Sequence, residues 1–163
     1  MVRSEIIESY SKGYEKIISA LNELPKEMWS FKPAPDKWSV HEFLIHLADS
    51  EVNSYSRARK MIAEPGSTLM AYDQDLLAVK TNYPAQDTNT ALELFKWLRK
   101  MSYDLIKTLP EETWSNSVIH PENGKMTLDD WLKGYENHVT LHVNQMKRNL
   151  ADWQKESKNK NGS

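Results

Sequence analysis

His138 and His142 stand four residues apart in the run Tyr135-Glu136-Asn137-His138-Val139-Thr140-Leu141-His142. On a helix that spacing puts both imidazoles on one face, about 6 Å apart along the axis. Two imidazoles so placed can grip one metal ion. A third ligand from elsewhere would complete a site that keeps coordination positions open for water or substrate. The best third candidate is His46, within Trp38-Ser39-Val40-His41-Glu42-Phe43-Leu44-Ile45-His46-Leu47-Ala48-Asp49-Ser50-Glu51. Neutral imidazole suits zinc and nickel. The competing reading is that each histidine is a core residue satisfied by a hydrogen bond.

Other polar residues admit the same two kinds of reading. Asp49 lies on the side of His46 and is a candidate partner or fourth ligand. Glu51 is a candidate acid–base group, or an ion-pair partner for Arg57 or Arg59. A solvated helix face would account for either carboxylate. His41 and His120 have no helical partner at ligand spacing and read as surface residues. Tyr72-Asp73-Gln74-Asp75 falls in a linking segment, where it could cover the mouth of a bundle or where Asp73 could cap a short helix.

These residues need helices to hold them, and the chain supplies a helical period four times. The first segment runs from about Ser4 to Glu23 and is stopped by Pro25. The second opens on Ser39 with Glu42 three residues on, a capping box, and continues past Ile62 to the break at Pro65-Gly66. Trp38, just before that cap, pins the helix entry as a hydrophobic staple would. The third runs from Asn89 or Thr90 to Thr108, before Pro110. The fourth starts at Thr127, capped by Asp130, and carries Trp131, Tyr135, His138, His142, Met146 and Leu150 on one stripe. Few segments show the alternation of a strand. The expected fold is all-α, a four-helix bundle with a long crossover between helices two and three and a short helix around Gln74 to Lys80.

The segment Leu24-Pro25-Lys26-Glu27-Met28-Trp29-Ser30 resembles Leu109-Pro110-Glu111-Glu112-Thr113-Trp114-Ser115, and each precedes a capped helix. The chain therefore reads as two helical hairpins related by a pseudo-two-fold. In that alignment His46 matches Gly134, while His138 and His142 match Ser50 and Ser54. The histidines fall where the two halves differ, which suits a special site better than a repeated packing feature.

Composition bounds the rest. The 163 residues fit one domain, 1–154, followed by a polar tail, 155–163, that reads as frayed. Its last residues, Gly162 and Ser163, have the look of a cloning remnant. The net charge of −2 offers no basic footprint for nucleic acid. With no cysteine there is no disulfide, no thiolate ligand and no cysteine nucleophile. No apolar run reaches the ~20 residues of a membrane span, and the first residues do not form a signal peptide. A cytoplasmic protein with a small-molecule substrate is expected. Its aromatic content and open bundle ends are compatible with a homodimer.

Taken together, Trp38-Ser39-Val40, Glu42, His46-Leu47-Ala48-Asp49-Ser50-Glu51, Tyr72-Asp73-Gln74-Asp75 and His138-Val139-Thr140-Leu141-His142 resemble the DinB-like (damage-inducible protein) superfamily of metal-binding four-helix proteins. The resemblance covers the chain from helix one to Leu150. It implies a bundle with a crossover and a divalent metal, zinc or nickel, held at the positions of His46, His138 and His142. Some relatives use low-molecular-weight thiols such as bacillithiol or mycothiol in transfer or isomerisation, and others are described as metal-dependent hydrolases. Three functions follow as expectations. The first is a metal-dependent thiol S-transferase, whose nucleophile comes from the cofactor. The second is a metal-dependent hydrolase with Glu51 or Asp49 as base. The third is a non-enzymatic stress-response or binding protein stabilised by its metal.

Overall fold

The computed structural model describes residues 2–161. The first helical segment is broken into α1 (Arg3–Ser11) and α2 (Gly13–Asn22). The break comes where Gly13 lets a side chain approach. A Cβ there would stand 3.0 Å from the guanidinium of Arg99, whose Nη1 donates to the Tyr10 carbonyl. A 3-10 turn at Lys26–Met28 then leads to α3 (Val40–Ala63). Ser39 and Glu42 close the expected capping box, with Oγ accepting from the Glu42 N–H at 3.1 Å and the carboxylate accepting from the Ser39 N–H at 2.8 Å. Trp38 packs on Phe43, five residues on, as a staple must.

The crossover carries α4 (Gln74–Lys80), with Asp73 accepting from the N–H groups of Asp75 and Leu76 as its cap. A 3-10 turn at Tyr83–Ala85 follows, and then α5 (Thr88–Ile106). A third 3-10 turn, Glu111–Ser115, repeats the one at Lys26–Met28 at the matching sequence. It is followed by a feature the sequence reading lacked, an antiparallel hairpin of β1 (Ser117–His120) and β2 (Gly124–Thr127). The residues just after α3 pair with it. The Leu69 N–H donates to the Ile119 carbonyl and the Ile119 N–H to the Ser67 carbonyl, both at 2.9 Å. Two four-residue strands are too short to show a period, and their stability comes from this third partner and from Val118 buried beneath.

The last helix, α6 (Leu128–Asn161), is longer than its apolar stripe. The tail expected to fray is helical through Asn161, while Gly162 and Ser163 lie outside the described residues. No helix among the described residues is long and apolar enough to cross a membrane.

The packing order follows the pseudo-two-fold. The main contacts join α3 to α5 and to α6, and join α1 and α2 to α5 and α6. Each helix of one half thus packs mainly against the other half. The two capped helices, α3 and α6, face each other directly. One buried cluster, including Ile17, Leu44, Phe95 and Val139, fills one end of the bundle. A second, including Tyr10, Met61, Ile106 and Trp131, fills the other. At the centre Arg99 of α5 reaches Glu51 of α3 through two bonds, Nε to Oε1 at 2.8 Å and Nη2 to Oε2 at 2.7 Å. The Tyr10 hydroxyl donates to the same carboxylate.

A candidate metal centre between α3 and α6

His46 comes from α3 and His138 and His142 from α6, so the site exists only where the two capped helices meet. Their Nε2 atoms converge: His46 to His138 is 3.2 Å and His142 to His138 is 2.8 Å. Zinc–nitrogen bonds of about 2.0–2.1 Å in a tetrahedron place their nitrogens about 3.3 Å apart. With all three ligand nitrogens within 4.8 Å of one another, the cluster could hold one ion. The Nε2 distances also suit hydrogen bonds between the rings, in which one Nε2–H donates to the next Nε2. The structure brings together the three histidines that the sequence singled out.

Burial keeps the cluster neutral. Removal from water, with the nearby His142, pushes His46 down to about 3. The same burial, with His142 and His46 beside it, pushes His138 down to about 2. Burial also lowers His142, against the opposing pull of a hydrogen bond. Neutral imidazole is the form that binds metal. That opposing bond is itself informative: His142 Nδ1 lies 2.6 Å from Gln145 Oε1. The Nδ1–H donates to the amide oxygen, which leaves the Nε2 lone pair free to face the centre. Gln145 was missed in the sequence, although its position three residues after His142 on one helix face was a usable signal. Trp38 and Phe43 wall the cluster, with ring centroids 4.7 Å from His46 and 5.2 Å from His142.

The carboxylates considered for the site lie elsewhere. Among the described residues none joins the histidines as a ligand. Asp49 accepts a 2.6 Å hydrogen bond from the Tyr83 hydroxyl, so it braces the crossover and is not a partner of His46. His46 Nδ1 is buried with no hydrogen-bond partner among the described residues. Glu51 is neither solvated nor paired with Arg57 or Arg59. It is held in the core by Arg99.

Two histidines read as surface residues are also placed differently. His41 is half-buried, and its Nε2 lies 2.9 Å from the Gln86 carbonyl and 3.2 Å from that of Tyr83, tying the crossover to α3. His120 is only 5% exposed, because the paired segments after α3 cover the hairpin end that carries it.

His138 also lines an open cleft of about 220 Å³ with Ser50, Arg57, Trp131, Gly134 and Tyr135. A reactant entering there meets the histidine cluster from its accessible side. The Tyr135 hydroxyl accepts from Arg57 at 3.3 Å, and burial pushes its pKa up to about 12, so it stays protonated at neutral pH. Asp130 reaches the same cleft, but its carboxylate is occupied by the N–H and hydroxyl of Thr127 as the α6 cap.

Comparison with known proteins agrees with this geometry. The sequence profile of the DinB superfamily matches residues 9–146. A protein of Oceanobacillus iheyensis described as a candidate metal-dependent hydrolase is 25% identical over 142 residues, covering 84% of this chain and 79% of its own. YfiT of Bacillus subtilis, described in the same way, is 26% identical over 118 residues, covering 70% and 66%. The solved YfiT structure, reported as an unusual four-helix bundle, superposes with a TM-score of 0.82 at 22% identity and covers 90% of this chain and 84% of its own. The chain belongs to the DinB superfamily.

Proposed function

We propose that this DinB superfamily member is a metal-dependent S-transferase that uses a low-molecular-weight thiol such as bacillithiol. His46, His138 and His142 would hold zinc or nickel. A divalent ion there lowers the pKa of a thiol that reaches it, so that thiolate is available at neutral pH. The protein's own residues supply the rest. Trp38 and Phe43 keep the inner side of the cluster dry, and the cleft beside His138 orients the electrophile.

The observation that carries this reading is the absence of a free carboxylate in the cluster among the described residues. The two carboxylates weighed as bases for water activation are committed, Asp49 to Tyr83 and Glu51 to Arg99, so a hydrolase here would rely on the metal alone to ionise water. A thiol, with an ordinary pKa of about 8.5 against about 15.7 for water, asks much less of the metal. The chain has no cysteine of its own, so the sulfur nucleophile comes from outside. The second reading, a metal-dependent hydrolase, is favoured by the descriptions given to the relatives. A cytoplasmic site of action, a small-molecule substrate, no nucleic-acid partner and a homodimeric state complete the proposal.

The test has two stages. Elemental analysis of the parent is expected to give near-stoichiometric zinc or nickel, lost in the His138→Ala/His142→Ala double variant. The cobalt-substituted protein is then titrated with thiol. A changed visible spectrum, with turnover of an electrophile that depends on the thiol, is the expected result. Hydrolysis without thiol and an unmoved spectrum would select the hydrolase.

A further inference from the structure

Arg57 projects from α3 between two clefts. One is the cleft beside His138. The other, of about 520 Å³, is lined by Tyr72, Asp73 and His120, among others. Arg57 has no carboxylate within ion-pair distance among the described residues. Its Nη1 donates to the Tyr135 hydroxyl and its Nη2 to the Met70 carbonyl at 3.0 Å. Two carboxylates line the same cleft: Asp73 is turned to its helix cap, and Glu122 lies in the hairpin turn beside His120.

His120 defines the other side. Its Nδ1 accepts from the backbone N–H groups of Glu122 and Asn123, at 3.2 and 3.3 Å. The ring proton must then be on Nε2. That buried N–H faces Arg57 Nη2 at 3.4 Å, another donor. Two donors, one of them a full positive charge, converge in a cleft wall; Nη2 also donates to the Met70 carbonyl, while the His120 Nε2–H meets no acceptor among the described residues. Buried donors are normally satisfied, and an anionic oxygen would satisfy both.

We infer that Arg57 and His120 form a subsite for an anionic oxygen group of the substrate, a carboxylate or a phosphate, adjoining the histidine cluster. That the anionic group belongs to a substrate rests on the cluster's being the reacting centre. Through Arg57 and Tyr135 the subsite is continuous with the cleft that exposes His138. A substrate anchored by its anionic end at Arg57 would present its other end to the histidines.

The experiment uses metal-free protein and two probes, inorganic phosphate and succinate, each titrated by calorimetry and by the ¹⁵N shifts of the His120 ring. Saturable binding of at least one probe is expected, and the tighter one identifies the anion class. Arg57→Gln should weaken it at least tenfold. Arg59→Gln, which removes a cation that stacks on Tyr55 away from both clefts, should not. The decisive pair is His120→Asn and His120→Gln. Asn keeps an acceptor for the turn amides and removes the Nε2–H, and should lose binding tenfold. Gln extends an N–H toward Arg57 and should retain it. Retention by Asn with loss in Gln would mean that His120 only buttresses its turn, and would overturn the subsite. So would non-saturable binding, or equal binding in all variants. The His138→Ala/His142→Ala protein should bind the probes unchanged, so the subsite can stand even if the metal reading fails. Loss there would put the anion on the histidines and overturn it.

Discussion

At the scale of single residues, the chemistry rests on where protons sit. His142 gives its Nδ1 proton to Gln145, and that fixes which nitrogen faces the cluster. Outer hydrogen bonds of this kind typically change metal affinity by about 10–100-fold when removed. Gln145→Leu is therefore expected to weaken zinc or nickel binding by about that factor in a chelator competition, with little change in helicity by circular dichroism. Unchanged affinity would show that the hydrogen bond does not orient the ligand. His46 offers the contrast, since its buried Nδ1 has no such support among the described residues. His138 and His142 were readable as a pair because a helix turn alone sets their relation. His120 was not, because its burial depends on a strand pairing made by residues fifty positions earlier in the chain.

At the scale of elements, the histidines are placed by two capped helices, one of which, α3, is tied to α5 by a buried charge pair. Arg99 and Glu51 tie α5 to α3, and the Tyr10 hydroxyl and carbonyl tie both to α1. Burying two charges is costly, and their attraction about offsets it. Removing one partner leaves the other uncompensated. Arg99→Met is expected to cost about 3–5 kcal/mol in denaturant unfolding, whereas Glu51→Leu with Arg99→Met should recover most of that loss. If the double variant is as unstable as the single, the pair contributes more than it costs and the argument fails. The capping boxes at Ser39 and Thr127 were legible because capping is local. The ion pair was not, because helical spacing from Glu51 points equally to nearby arginines, and only the packing order brings Arg99 closer.

At the scale of the whole molecule, the bundle holds three neutral imidazoles in its interior, and that couples folding to pH. In the unfolded chain each titrates near its usual value of about 6.5. In the folded protein burial holds His46 at about 3 and His138 at about 2, with His142 also lowered. The unfolded state therefore binds more protons between those limits. Stability of the metal-free protein is expected to be flat above pH 7. It should fall as pH drops below about 6.5, by at most about 1.4 kcal/mol per pH unit for each histidine. Thermal unfolding across pH 4–8 checks this, and the His138→Ala/His142→Ala protein should show a shallower slope. An equal slope would assign the acid sensitivity to other groups.

The sequence by itself determined the elements and half of the site: four capped or proline-bounded helical segments, a repeated turn, a short crossover helix and a histidine pair on one helix face. All of these depend on neighbours within a few residues, where periodicity and capping act. Only the tertiary structure decided that α3 and α6 face each other, that His46 closes the cluster, that Glu51 belongs to Arg99 and Asp49 to Tyr83, and that His120 meets Arg57 in a cleft. Those relations join residues far apart in the chain. They follow from which helix packs against which, and no local period encodes that.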